Sequence, residues 1–305
     1  MTELDNSRIS KVLGQTVTYP DQYDPTILVS EPRCNNRHHL DIQDDNLPFV
    51  GVDVWNAYEV STLTTKGLPV AGIMKIIYPC SSKYIVESKS LKLYLNSFNM
   101  TMTGGNREES IESVRSTVAA DLGSLLETDV QVMLLTDRQV HETVPNITTQ
   151  TTRTIYETLE DLPSAEDMKV TEYTETPSLL EVICDVDTPT SKFFHTSLLK
   201  SNCRVTSQPD WGDCYIYIQS TKRVMRMSLL KYLISFRDEC HFHEEICETI
   251  YKRLMDTYTP EELCVTCLYA RRGGIDINPI RASDNKLLRR NITNINVPHL
   301  KTPKQ

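Results

Sequence analysis

The sequence predicts an α+β protein built as two tandem modules, each an antiparallel sheet with a pair of helices on one face. Two observations carry this expectation. Ser90-Leu91-Lys92-Leu93-Tyr94-Leu95-Asn96-Ser97-Phe98 and Ser228-Leu229-Leu230-Lys231-Tyr232-Leu233-Ile234-Ser235-Phe236 align without gaps at an offset of 138, sharing Ser, Leu, Tyr, Leu, Ser and Phe. Such self-similarity marks a duplicated unit. Each copy also follows one order of elements, strand, helix, helix, strand, which is the plan of helices packed on one side of an antiparallel sheet.

The elements follow in chain order. Val70 to Tyr78 and Cys214 to Gln219 are rich in β-formers and predict the strands that precede each helix pair. The two aligned segments place apolar residues at helical spacing. A second helical run follows each, Ile111 to Leu126 and Glu244 to Tyr258. Val130 to Leu135 and Leu263 to Tyr269 then predict the closing strands. The expected division is a first module over residues 1–143, an acidic, Thr-rich linker or excursion over 144–178, and a second module over 179–305. Val144 to Ser178, with its Thr, Glu, Asp and Pro and its weak periodicity, separates the two.

Composition narrows the functional class. A chain of 305 residues, 39% hydrophobic and 24% charged, has room for one large or two ordinary domains, each with its own core. A net charge of -9 without a basic block argues against direct nucleic-acid binding and favours a free small molecule. Met1 to Asp5 has neither part of a signal peptide, and no apolar run nears the roughly 20 residues that span a bilayer, so a cytoplasmic protein with no membrane partner is expected. Nine irregularly spaced cysteines do not form a disulfide framework and are expected to be mostly reduced. The Asn-x-Thr matches at Asn99, Asn146 and Asn291 then carry no glycan.

The chemistry-bearing residues cluster in a few segments. Cys203 is followed seven residues later by Asp210 on a Pro209-Asp210-Trp211-Gly212 stretch that reads as a turn. A thiolate and a carboxylic acid together suit covalent attack with proton delivery, while a buried strand cysteine and a turn aspartate are the structural alternative. Phe242-His243-Glu244-Glu245 opens a helical run, where acidic residues also serve the helix dipole. Glu87-Ser88-Lys89 precedes the first helix, where Glu87 or Ser88 also suits a cap. Arg271-Arg272-Gly273-Gly274 reads equally as an anion site or a surface turn. None of the ten glycines lies in a Rossmann or P-loop pattern.

A zinc site competes for Cys240, His241, His243, Cys247, Cys264 and Cys267, since His243, Glu245 and the Cys264-x2-Cys267 pair approach the zinc-deaminase pattern. No proline directly precedes Cys264, and residues three apart on a strand face opposite sides. No metal is therefore expected.

Glu87-Ser88-Lys89-Ser90-Leu91-Lys92, Ser201-Asn202-Cys203 through Gln208-Pro209-Asp210-Trp211-Gly212, Phe242-His243-Glu244, and Arg271-Arg272-Gly273-Gly274-Ile275-Asp276-Ile277-Asn278-Pro279 together resemble the 7-cyano-7-deazaguanine reductases of queuosine synthesis, in their long, two-module form. Tyr19-Pro20-Asp21-Gln22-Tyr23 and Val52-Asp53-Val54-Trp55-Asn56-Ala57-Tyr58-Glu59 extend the similarity, which runs from about Val17 to Pro279. The acidic linker and the tail after Pro279 depart from it.

The resemblance implies tandem tunnelling-fold modules, paired chains in a homodimer, and reduction of the nitrile of 7-cyano-7-deazaguanine to a primary amine by two NADPH. It implies Cys203 as the nucleophile that forms a thioimide, Asp210 as the proton donor and His243 as an aid to proton transfer or orientation. It implies that Val86, Glu87, Ser88, His243 and Glu244 bind the base, and that Ser88, Lys89, Arg272 and Gly273 hold the cofactor. Three alternatives stand beside it: an amidine-forming transferase and a purine-nucleotide cyclohydrolase of the same fold, and a non-catalytic deazapurine binder. Lys89 and the Arg-Arg-Gly-Gly segment weigh against the transferase. The lack of a credible metal set weighs against the cyclohydrolase.

Overall fold

The computed structural model describes Pro20, residues 22–136 and residues 156–290. Val17 to Tyr19, Asp21, the first part of the expected linker, Asn146, Asn291 and the end of the tail lie outside the described residues. The chain divides into two compact units, one of Met1–Asn35, Val54–Thr143 and Arg271–Asp276, the other of Asn36–Asp53, Val144–Ala270 and Ile277–Gln305. The units thus exchange two short segments across the Thr143–Val144 boundary.

In the first unit, strand β1 (Ser30–Pro32) pairs antiparallel with β4 (Tyr84–Val86). The longer strands β2 (Val50–Thr64), β3 (Pro69–Pro79) and β6 (Gln131–Leu135) lie side by side in that order, with β5 (Met102–Gly104) parallel to the end of β2. Gly72 lets β6 approach, since a β-carbon there would meet the carbonyl oxygen of Leu135 at 2.6 Å. Helix α1 (Ser88–Asn96) buries Leu91, Tyr94 and Leu95. Helix α2 (Arg107–Leu126) buries Ser110, Val114, Val118, Leu122 and Leu126, a stripe at the i, i+4 spacing that one helix face requires. Asn106 caps α2 by accepting from the Glu109 amide, and the Glu109 carboxylate accepts in return from the Gly105 amide. Burial pushes Lys75 of β3 down to about 8, with nearby Asp276 pulling the other way.

The second unit is built on a long hairpin, β8 (Val182–Cys203) against β9 (Pro209–Val224). Strand β11 (Glu262–Tyr269) adds antiparallel to β9, and β12 (Ile275–Ala282) adds antiparallel to β11. The short strands β7 (Glu157–Thr158) and β10 (Cys240–His241) run parallel to β8. Helix α3 (Arg226–Ile234) buries Leu229, Leu230, Tyr232 and Leu233, and helix α4 (His243–Tyr258) buries Ile246, Cys247, Ile250, Tyr251 and Leu254.

Four charged side chains are buried together beneath α4. Arg37 donates to Glu248 at 2.9 and 2.8 Å, and Arg281 donates to Glu248 at 3.1 and 2.9 Å and to Asp53 at 2.7 Å. Buried charges persist where bidentate geometry offsets desolvation, and removing one partner of such a set costs about 3–5 kcal/mol.

The α+β plan with paired helices is therefore present. The predicted strand at Cys214 to Gln219 is the middle of the longer β9, and the helical run at Ile111 begins one turn earlier. One local reading is corrected. Pro209 to Gly212 is not a turn but the start of β9, with Pro209 paired to Asn202 and Asp210 to Ser201. Proline is tolerated at the first position of a strand. The reversal lies just before it, where Ser207, at φ 54, donates its amide to the Cys203 carbonyl oxygen at 2.9 Å.

Candidate functional site

Two groups of the expected residues form, one in each unit. In the second unit, Cys203 is the last residue of β8, held by its amide donating to the Gln208 carbonyl oxygen at 2.8 Å. Its thiol is free and half-buried. On its other side Cys203 pairs with His241 of β10, and the Asn202 amide donates to the Glu239 carbonyl oxygen at 2.7 Å. That pairing brings the start of α4 to the end of the hairpin, because His243 follows β10 by two residues.

His243 reaches the facing strand. Its Nε2 lies 3.3 Å from Oδ2 of Asp210, a carboxylate only 5% exposed. The imidazole stacks on Tyr269 at 3.8 Å between centroids and 18° between planes. Tyr269 pairs in register with Gly212, and a β-carbon there would press the Tyr269 ring at 3.2 and 3.3 Å. Glycine at 212 therefore leaves the space that the stacked ring occupies. Burial pushes the Tyr269 hydroxyl well up, with Cys267, Cys247 and Asp210 adding to the effect, so Tyr269 serves as a neutral platform.

The two acidic residues after His243 separate by role. Glu245 accepts from the Phe242 amide at 3.0 Å, from Arg204 at 2.7 Å and from His241 Nδ1 at 3.1 Å, which makes it a helix cap and charge partner. Glu244 is buried at 1% exposure beside His243. A carboxylate so placed is suited to accept from ligand N–H groups.

In the first unit, Val86 ends β4 and Glu87 caps α1, its two oxygens accepting from the amides of Lys89 and Ser90 at 2.8 and 2.6 Å. Ser88 and Lys89 form the half-buried first turn. The cap role raised from the sequence is thus filled by Glu87 and not by Ser88. Arg272 and Gly273 lie on a hairpin turn closed by the Arg272–Ile275 bridge, with Gly273 at φ 57 and Gly274 at φ 81. Two successive residues at positive φ define this tight turn and favour glycine at both. The turn is fastened to β2. The Tyr58 amide donates to the Gly274 carbonyl oxygen at 2.8 Å, the Arg271 guanidinium lies 4.6 Å over the Tyr58 ring, and Tyr58 and Asn56 both donate to Asp276.

A residue not singled out from the sequence joins these pieces. Lys92 of α1 packs against Gly273, its Nζ 3.0 Å from where a β-carbon would stand. The helix that carries Ser88 and Lys89 and the turn that carries Arg272 are thereby neighbours. Lys92 lies one turn after Lys89, which was the available signal. The cations Lys89, Lys92 and Arg272 around this turn suit a phosphate-bearing cofactor, although the Glu59 carboxylate also lies against Gly274.

The residues weighed as zinc donors do not meet as a ligand set. Among the described residues no group of three or more His, Cys, Asp or Glu could hold a metal ion. Cys240 is exposed, whereas Cys247 and Cys267 are buried and interact with each other. Their thiols are pushed well up, Cys247 chiefly by burial and Cys267 chiefly by its bond with Cys214. No helix of the described residues is long and apolar enough to cross a membrane.

Comparison with known proteins matches residues 19–134 to the family described as nitrile reductase, 7-cyano-7-deazaguanine-reductase N-term, and residues 209–287 to the family described as QueF-like protein. The NADPH-dependent 7-cyano-7-deazaguanine reductase of Rickettsia bellii is 39% identical over 278 residues, covering 90% of this chain and 94% of its own. The protein of the same name from Chromohalobacter salexigens is 40% identical over 286 residues, covering 93% and 95%. That from Colwellia psychrerythraea is 39% identical over 280 residues, covering 91% and 93%.

Proposed function

Because the chain belongs to the family of 7-cyano-7-deazaguanine reductases, we propose that it reduces the nitrile of 7-cyano-7-deazaguanine to the primary amine of 7-aminomethyl-7-deazaguanine, as a step of queuosine synthesis. The observation that supports this reading best is the end of the β8–β9 hairpin. A free thiol and a buried carboxylate sit on its two strands, and His243 adjoins that carboxylate.

The Cys203 sulfur attacks the nitrile carbon, one C–N π bond opens, and the nitrogen takes a proton from Asp210 to give a neutral thioimide. NADPH, as co-substrate, supplies the hydride for each of two successive reductions. Release of the Cys203 thiolate after the first leaves an imine for the second. His243, 3.3 Å from Asp210, returns a proton to this carboxylate once it has protonated the nitrogen, or orients the intermediate. Glu87 and Glu244 are assigned to base recognition, since a carboxylate accepts from both a ring N–H and an exocyclic amine. Val86 and Ser88 support that contact. Ser88, Lys89, Arg272 and Gly273 are assigned to the cofactor, with Lys89 and Arg272 facing its extra phosphate. A homodimer in the cytoplasm, without metal, completes the reading.

Incubation of the protein with 7-cyano-7-deazaguanine and NADPH is the direct test. The expected result is loss of nicotinamide absorbance with two NADPH consumed for each amine formed, read by product mass. Stoichiometric binding of the nitrile without NADPH consumption would overturn the reading in favour of a non-catalytic binder.

A further inference from the structure

The second unit holds a cavity of about 510 Å³ at the end of the β8–β9 hairpin remote from Cys203, where Val182 pairs with Val224. Its size lies within the usual range of small-molecule sites, roughly 300–1,000 Å³. Lys192, Lys222, Arg223 and Arg226 all line it, and no acidic residue among the described residues does. Phe194 and Ile218 supply an apolar wall. In a chain of net charge -9, four cations line one cavity, opposed by Glu157 on Arg226 and by Asp185 across the hairpin from Lys222, and a low-dielectric hollow focuses the remaining positive field on whatever enters.

The four are not equally engaged. Arg226 donates to Glu157 at 2.6 Å, and Lys222 donates to the Thr257 carbonyl oxygen at 3.1 Å. Lys192 and Arg223 are exposed and form no ion pair among the described residues.

The internal duplication gives the cavity its meaning. The bounds of α1, Ser88–Asn96, moved by the offset of 138 become the bounds of α3, Arg226–Ile234. Met225 therefore stands where the first copy has Glu87, Arg226 where it has Ser88, and Met227 where it has Lys89. The cavity occupies, in the second copy, the position that carries the base- and cofactor-binding segment in the first. The carboxylate that accepts from a base edge has become a thioether, and positive charge has accumulated beside it. Such a replacement removes recognition of ring N–H groups and leaves recognition of phosphate over an apolar wall.

We propose that this cavity is a second, non-catalytic site that binds a nucleoside diphosphate or triphosphate. Lys192, Arg223 and Arg226 hold the phosphates, and the nucleoside lies against the apolar wall with Met225 at its rim. The exposed Lys192 and Arg223 are the residues to alter, because neither forms an ion pair among the described residues.

The test is calorimetric titration of the intact protein with ADP, pyrophosphate and adenosine as probes. Each titration is repeated on the double variant below, so that any binding at the cofactor site, common to both proteins, cancels. The expected result is that ADP binds more tightly than pyrophosphate and that adenosine binds weakest. The Lys192→Glu, Arg223→Glu double variant should bind ADP weaker by about tenfold or more while its nitrile-reductase turnover is unchanged. Equal ADP affinity in the wild type and the double variant would overturn the proposal. So would absence of ADP binding at millimolar concentration, or ADP binding no tighter than pyrophosphate.

Discussion

The imidazole of His243 lies flat on the phenol ring of Tyr269, 3.8 Å between centroids, while its edge points at Asp210. One residue comes from the first turn of α4 and the other from the end of β11. The stack restrains the rotation of His243 about its side-chain bonds, so the nitrogen facing Asp210 stays in reach of it. Ring contacts of this kind contribute about 0.5–1.5 kcal/mol beyond area burial.

Tyr269→Phe keeps the platform and should hold kcat within about twofold of wild type. Tyr269→Leu removes it and should lower kcat by about fivefold, the rate equivalent of roughly 1 kcal/mol, with little change in KM for the nitrile. Steady-state kinetics of both variants, with thermal melts to confirm folding, make the check.

Cys203→Ala should abolish turnover and the covalent adduct alike. In intact-mass spectra without NADPH, wild type should gain one 7-cyano-7-deazaguanine and Cys203→Ala should gain nothing. Asp210→Asn should keep the thiol but lose about 10²–10⁴-fold in rate, the usual span for removing a positioned proton donor. Mass gain at any other of the nine cysteines would sink this mechanism.

Lys89→Ala and Arg272→Ala should each raise KM for NADPH by about tenfold to a hundredfold, because a hydrogen bond to a charged group is worth roughly 1.5–3 kcal/mol. The reaction with NADH should change less. Equal losses with both cofactors would show that these cations do not read the extra phosphate.

The His241 pair predicts a pH effect. Partial burial acts to lower the His241 pKa, but Glu245 at 3.1 Å and Glu239 at 3.3 Å overcome it and raise the pKa above its ordinary value. A folded pKa above the unfolded one gives stability that is fully present below about pH 6.5 and is lost as pH rises through the folded value. The urea midpoint of wild type should therefore exceed that of His241→Gln by more at about pH 5 than at about pH 9. A difference independent of pH would show that the ion pairs with Glu239 and Glu245 do not stabilise the fold.

Legibility varied with how local each signal was. The helices were readable because Val114, Val118, Leu122 and Leu126 repeat at a helical period whatever packs against them. Most of β8 was not, because Asp185, Asp187, Thr188, Thr190, Ser191 and Lys192 give it a polar, exposed first half without alternation. The Pro209–Gly212 misreading has a similar origin. Both residues usually mark turns, yet here proline begins a strand and Gly212 makes room for Tyr269. Motif residues such as Cys203 and Asp210 were visible as types, but the contact of Asp210 with His243 depends on the pairing of β10 with β8. The Lys192 to Arg226 cavity was hidden for the same reason, since hairpin register brings together cations about thirty residues apart in sequence.

The ion network under α4 also bears on how the protein is made. Arg37 and Asp53 leave the ribosome early, but Glu248 lies 211 residues after Arg37, and Arg281 lies 228 after Asp53. A nascent chain that has already exposed Cys203, His243 and Glu244 still has Asp53 without its guanidinium partner until Arg281 emerges. Closing contacts so distant is slow, and a buried carboxylate awaiting its counter-ion resists compaction until then. Premature termination upstream of Arg281 should therefore leave all the proposed catalytic side chains in an unfinished, protease-sensitive chain rather than in a shorter working enzyme.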